Sequence, residues 1–64
     1  MQDQIWRKKT VNGETGLSYT QIDRMEKAGL FPKRRLISER IVGWSANEVQ
    51  AWINERLHGE KARL

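Results

Sequence analysis

Apolar and polar positions along the chain alternate with two different periods. Ile22 and Met25 share one side of a helix at 100° per residue, and Ala28 extends it. Thr20, Asp23, Arg24 and Lys27 occupy the opposite side, with Tyr19 on its flank. Ser18 precedes this run and Gln21 follows three residues later, the spacing of a capping box. Gly29 supplies a left-handed cap, and Pro32 prevents the helix from resuming. A helix of about three turns is predicted over residues 18–29. A second stripe, Val49, Trp52, Ile53 and Leu57, recurs at i, i+3, i+4 and i+8. Ser45 caps that helix, Glu48 completes a second capping box, and Gly59 ends it. Residues 60–64 are expected to fray.

Between the helices the period changes. Leu36-Ile37 and Ile41-Val42 are short apolar pairs joined by Ser38-Glu39-Arg40, which predicts a small antiparallel hairpin. Its turn has neither glycine nor asparagine. Trp44 and Trp52 fit core positions, while Trp6 is unassigned. Three tryptophans in so short a chain supply apolar volume that its aliphatic residues are too few to provide.

The amino-terminal third admits two readings. Asn12-Gly13 is a hairpin signal when apolar residues alternate around it. Glu14-Thr15-Gly16, however, offers no apolar residue for a second strand. A short helix with Val11 inward and Gly16 as its left-handed cap is preferred, although Gly13 costs it about 1 kcal/mol relative to alanine. Ile5-Trp6 is either a strand stub or a pair packed beneath that helix.

These elements define the expected fold: α+β, mostly α, a single domain over residues 1–64 with its core over about residues 5–58. The architecture is a three-helix winged helix-turn-helix with a two-stranded antiparallel wing. A helix followed at once by a basic hairpin suits duplex DNA. The helix fits a major groove, and the hairpin reaches phosphates or the minor groove beside it.

Charge sharpens this picture. The 64 residues carry twelve Lys and Arg against eight Asp and Glu, a net charge of +4. Residues 1–40 hold nine cations and five acids, whereas residues 41–64 hold three of each. The whole excess lies in the helix-turn-helix and hairpin, which favours an anionic partner. A lipid surface fits less well, because the cations share no helix with a broad apolar face.

Other chemistry finds little support. There is no cysteine, so disulfides and thiolate metal sites are excluded, and the lone His58 has no partner histidine. Neither a metal nor a cofactor is expected. No carboxylate sits in a motif with a histidine, a nucleophile elbow or a glycine-rich phosphate loop. A chain this short also has little room for a substrate pocket of several hundred cubic ångströms. No enzymatic activity is expected. No apolar run approaches the roughly 20 residues of a membrane span, and the first residues lack signal-peptide regions. A soluble, cytoplasmic protein is expected.

The candidate DNA-contacting residues follow from these placements. Ser18, Tyr19, Thr20 and Gln21 open the exposed helix, where base edges come within reach, although Gln21 is also the capping partner. Arg24 suits guanine O6/N7 or a phosphate. Lys27, a turn later, suits the backbone. Asp23 is an anomaly on this face: it accepts from a cytosine amino group, pairs with Lys27, or marks the edge of the footprint. Lys33, Arg34 and Arg35 lead into the hairpin, and Arg40 stands at its tip, placed for a narrow minor groove. Arg7, Lys8 and Lys9 are candidate phosphate clamps.

The order of these segments resembles the AlpA family of prophage regulators. The resemblance rests on Thr15-Gly16-Leu17-Ser18, on Ala28-Gly29-Leu30-Phe31-Pro32, on Val42-Gly43-Trp44-Ser45, and on Glu48-Val49-Gln50-Ala51-Trp52-Ile53 with Arg56. It covers about residues 5–57. It implies a small winged helix-turn-helix related in architecture to phage excisionases, acting as an activator of integrase genes or as a DNA-bending directionality factor. Tyr19, Thr20, Arg24 and the Lys33–Arg40 wing are then the implied DNA contacts. The chain departs from the family pattern at Tyr19, where arginine is common, at Asp23, where tyrosine is common, and near Ser38, where glycine is usual.

Such a footprint expects double-stranded DNA as partner, self-association or cooperative binding on DNA, and an integrase or recombinase as a further partner. The rival function is a protein-interaction module that binds and inhibits a recombinase or response regulator through the same basic face. RNA is disfavoured, because no sheet bears exposed stacking aromatics.

Overall fold

The computed structural model describes residues 3–59, and the expected fraying of residues 60–64 lies outside them. The elements run β1 (Ile5–Trp6), α1 (Lys8–Thr15), α2 (Tyr19–Lys27), β2 (Arg35–Ser38), β3 (Ile41–Ser45) and α3 (Ala46–His58). The architecture is three helices with a small antiparallel sheet, as expected for the α+β class. The two-stranded hairpin is present, and β1 adds a third strand to its sheet in the order β1-β3-β2. Ile5-Trp6 is the strand stub, and it pairs Ile5 with Ser45 and Trp6 with Trp44.

Residues 8–15 are helical, and the hairpin signal at Asn12-Gly13 loses. Gly16 caps α1 at φ 79°, and its N–H donates to Asn12 O at 2.9 Å. The Asn12 side chain, free of any turn role, donates to Leu17 O at 2.6 Å and fixes the connection into α2. Ser18 and Gln21 form the expected capping box. At the other end of α2, Gly29 N–H reaches Glu26 O at 3.0 Å and Leu30 N–H reaches Met25 O at 2.8 Å. These two bonds, with Gly29 at φ 77°, form a Schellman motif.

Val11, Ile22, Phe31, Trp44 and Val49 form the buried cluster, and Trp6, Leu17, Met25, Trp52 and Ile53 pack against it. Every element except β2 contributes to it. Phe31 anchors the loop after α2 by meeting Trp52 edge-on, centroids 4.9 Å apart.

Three details differ from the sequence pattern. Ala28 is exposed at the helix cap and extends no apolar face. Leu57 is 69% exposed, because the stripe of α3 outruns the core that its first two turns cover. Glu48 N–H does donate to Ser45 Oγ at 3.2 Å, but the Glu48 carboxylate is turned to Arg35 and makes no reciprocal cap. Asp3 assists the cap in its place. Its Oδ1 accepts from Asn47 N–H at 2.9 Å, and its Oδ2 accepts from the Ser45 hydroxyl.

The wing is β2 and β3 with Glu39-Arg40 as its turn. Leu36 pairs with Val42 and Ser38 with Ile41, so β2 carries one residue more than β3 at a bulge. None of the described helices is long and apolar enough to cross a membrane.

Candidate nucleic-acid interface

Packing of Ile22 and Met25 against the core decides which side of α2 faces outward. Tyr19, Thr20, Gln21, Arg24 and Lys27 are all exposed. Gln21 Oε1 accepts from Ser18 N–H at 2.9 Å, so the oxygen of Gln21 is occupied by the cap. Lys8, at the start of α1, holds its ammonium 5.2 Å from the centroid of the Tyr19 ring. Two of the expected contact residues, on different helices, are thereby brought side by side.

Arg7, Lys8 and Lys9 crowd the amino end of α1, where the peptide dipoles already point positive and no acid stands in the first turn. Cations there cost a helix a few tenths of a kcal/mol or more, and an anion relieves that cost.

The root of the wing is built differently from the expectation. Arg34 is not a free wing cation. Its Nε donates to Glu26 Oε1 at 2.8 Å, its backbone N–H donates to Glu26 Oε2 at 2.8 Å, and its guanidinium also donates to Asp23. The same group lies 4.9 Å from the Trp44 ring centroid. Trp44 in turn donates its indole N–H to Glu26 Oε2 at 2.9 Å and to Pro32 O at 3.0 Å. The two carboxylates, Glu26 first, hold the guanidinium above its ordinary basicity. Arg34 therefore straps the wing to α2. Arg35 is likewise engaged, donating to Glu48 of α3 at 2.6 Å, although most of its side chain is exposed.

The internal partner of Asp23 differs from the expected Lys27. Asp23 pairs with Arg34 instead, and the hydrogen bond from Arg34 holds its carboxyl below the ordinary 3.8. Lys8 and Lys27 add attraction of the same sign. Cations from α1, α2 and the wing root thus gather around one carboxylate on the outer side of α2. Glu26 was not singled out from sequence, and its partners lie 8 and 18 residues away, so no local spacing announces it.

Among the described residues, Lys8, Lys9, Arg24, Lys27, Lys33 and Arg40 make no ion pair, in contrast to Arg34 and Arg35. Lys33 precedes β2 and Arg40 occupies the hairpin turn, both exposed.

A family model described as prophage CP4-57 regulatory protein (AlpA) matches residues 4–57, from just before β1 to the last turn of α3. The chain belongs to the AlpA family. That makes it a member of a prophage regulatory family, and the match takes in both the exposed helix and the wing. No curated protein and no solved structure matches this AlpA-family chain.

Proposed function

We propose that this protein binds duplex DNA and regulates genes of a prophage or other mobile element, controlling integrase expression or excision. The observation that carries the proposal is the gathering of Lys8, Lys27 and Arg34, from two helices and the wing root, around the exposed side of α2. In this arrangement α2 lies in the major groove, where Tyr19, Thr20 and Arg24 meet base edges and Lys27 meets the backbone. Lys33 and Arg40 reach the adjacent backbone or minor groove along the wing, and Lys8 and Lys9 clamp phosphates from the start of α1. Arg34 and Arg35 act chiefly as struts. AlpA-family membership supports the regulatory role. A single module of this kind contacts roughly 600–1,000 Å², which limits its specificity, so binding is paired or cooperative at repeated sites. The protein works in the cytoplasm, with DNA and, during excision, an integrase as partners.

A gel shift against random duplex DNA at low salt tests the proposal. A shift is expected. Its absence would overturn the DNA-binding function in favour of an acidic protein as the partner of the same face.

A further inference from the structure

The exposed side of α2 carries one acid among its cations, and the structure fixes that acid in place. Asp23 stands one turn from Thr20 on one side and from Lys27 on the other, and its side chain is 45% exposed. Its Oδ1 accepts from Arg34, which leaves Oδ2 for a second donor. Arg34 itself cannot swing away freely. Glu26 holds it through both its Nε and its backbone N–H, each at 2.8 Å, and Trp44 lies beneath the guanidinium. The Asp23 carboxylate is thus oriented by an anchored donor, unlike a surface pair between two flexible side chains.

A bare carboxylate facing a double row of phosphates is repelled. Asp23 shares Arg34 with Glu26, so the three groups together carry one negative charge, and Lys8 and Lys27 nearby offset it and reduce that penalty. An ionised carboxylate accepts hydrogen bonds and donates none. In the major groove the donors are the amino groups of cytosine and adenine. Adenine places its N7 acceptor beside the amino group, against the carboxylate, whereas cytosine N4 is the accustomed partner of Asp and Glu.

We propose that Asp23 is a specificity-determining residue that selects cytosine at one position of the DNA site, with Arg34 as its positioning residue. The inference rests on the DNA-binding function proposed above and names the base chemistry that the exposed helix reads.

Site selection from a random duplex library, performed with the unaltered protein and with Asp23→Ala, Asp23→Asn and Arg34→Gln, tests it. The unaltered protein is expected to enrich a motif with one cytosine preferred about 5- to 150-fold over other bases, the range of one good side-chain–base contact. Asp23→Ala should yield the same motif with that position degenerate. Asp23→Asn, nearly identical in shape, should shift the position toward adenine, the usual partner of asparagine. Arg34→Gln should weaken the preference at that position and spare the others. An unchanged motif with Asp23→Ala would overturn the inference while leaving DNA binding intact. Equal blurring of every position by Arg34→Gln would reduce Arg34 to a purely structural role and remove its part in selection. Failure of the unaltered protein to bind or enrich any duplex would bring down the DNA-binding function itself, and this inference with it.

Discussion

The indole N–H of Trp44 lies 2.9 Å from Oε2 of Glu26, and through that one carboxylate the core, α2 and the wing are held together. Glu26 accepts from Trp44 in β3 and twice from Arg34 at the wing root. Its side chain is only 12% exposed, so water replaces these bonds poorly.

Removing the carboxylate leaves the guanidinium and backbone N–H of Arg34 short of acceptors. Glu26→Ala is therefore expected to destabilise the domain by about 2–3 kcal/mol. A domain of this size has about 3–10 kcal/mol in hand by the usual per-residue scale of 0.05–0.15 kcal/mol. Urea denaturation followed by tryptophan fluorescence measures the change. A loss below about 0.5 kcal/mol, the scale of ordinary surface substitutions, would contradict the role assigned to Glu26.

Acid should loosen the fold through two aspartates. The hydrogen bond from the Ser45 hydroxyl, with help from Asn47 N–H, holds the Asp3 carboxyl below 3.8, and Arg34 does the same for Asp23. Both bind protons less readily when folded than when unfolded. Their stabilisation is complete above the unfolded value near 3.8 and is lost as pH falls through the lower folded values. The urea midpoint is expected to drop below about pH 4, and to drop less in Asp3→Asn and Asp23→Asn. A midpoint independent of pH over that range would contradict it.

Gly43 is needed for want of space. A methyl group there would lie 2.6 Å from Cγ2 of Ile5 and 3.2 Å from the carbonyl oxygen of Trp6. Gly43→Ala must push β1 outward, at about 1–3 kcal/mol. Pairing it with Ile5→Ala should recover part of that loss but not all, since the Trp6 carbonyl remains. Strictly additive losses would show that Ile5 and Gly43 do not meet.

The exposed helix and the wing should fail in different ways. Arg24→Ala is expected to relax base preference, whereas Lys33→Ala weakens binding to all sequences alike. Competition between a selected site and random duplex separates the two effects, and identical behaviour of the variants would refute the division of roles.

Much of the fold was legible because its signals are local. Ser18 with Gln21, Gly16, Gly29 and Pro32 act within a few residues, and each does what its spacing predicts. Asn12-Gly13 shows the limit. A two-residue turn signal needs apolar partners on both sides, and the Asn12 side chain instead bridges to Leu17. Leu57 kept the helical period but lay beyond the reach of the core. The site was less legible. Nothing in the spacing of Lys8 and Tyr19 tells that they touch. Nothing in the sequence marks Arg34 as engaged, because its partners, Asp23 and Glu26, lie on another element and claim it only once the chain has folded. A run such as Lys33-Arg34-Arg35 gives the sign of a surface but not which of its members are already spoken for.

The most direct test is the salt dependence of duplex binding. With Arg34 and Arg35 paired internally, Lys8, Lys9, Arg24, Lys27, Lys33 and Arg40 remain for phosphates. If about four to five phosphates are neutralised, log affinity falls against log salt with a slope near −4. Arg40→Ala should lower its magnitude by about one, and Arg34→Gln should leave it nearly unchanged. A slope close to zero in the unaltered protein would contradict the account.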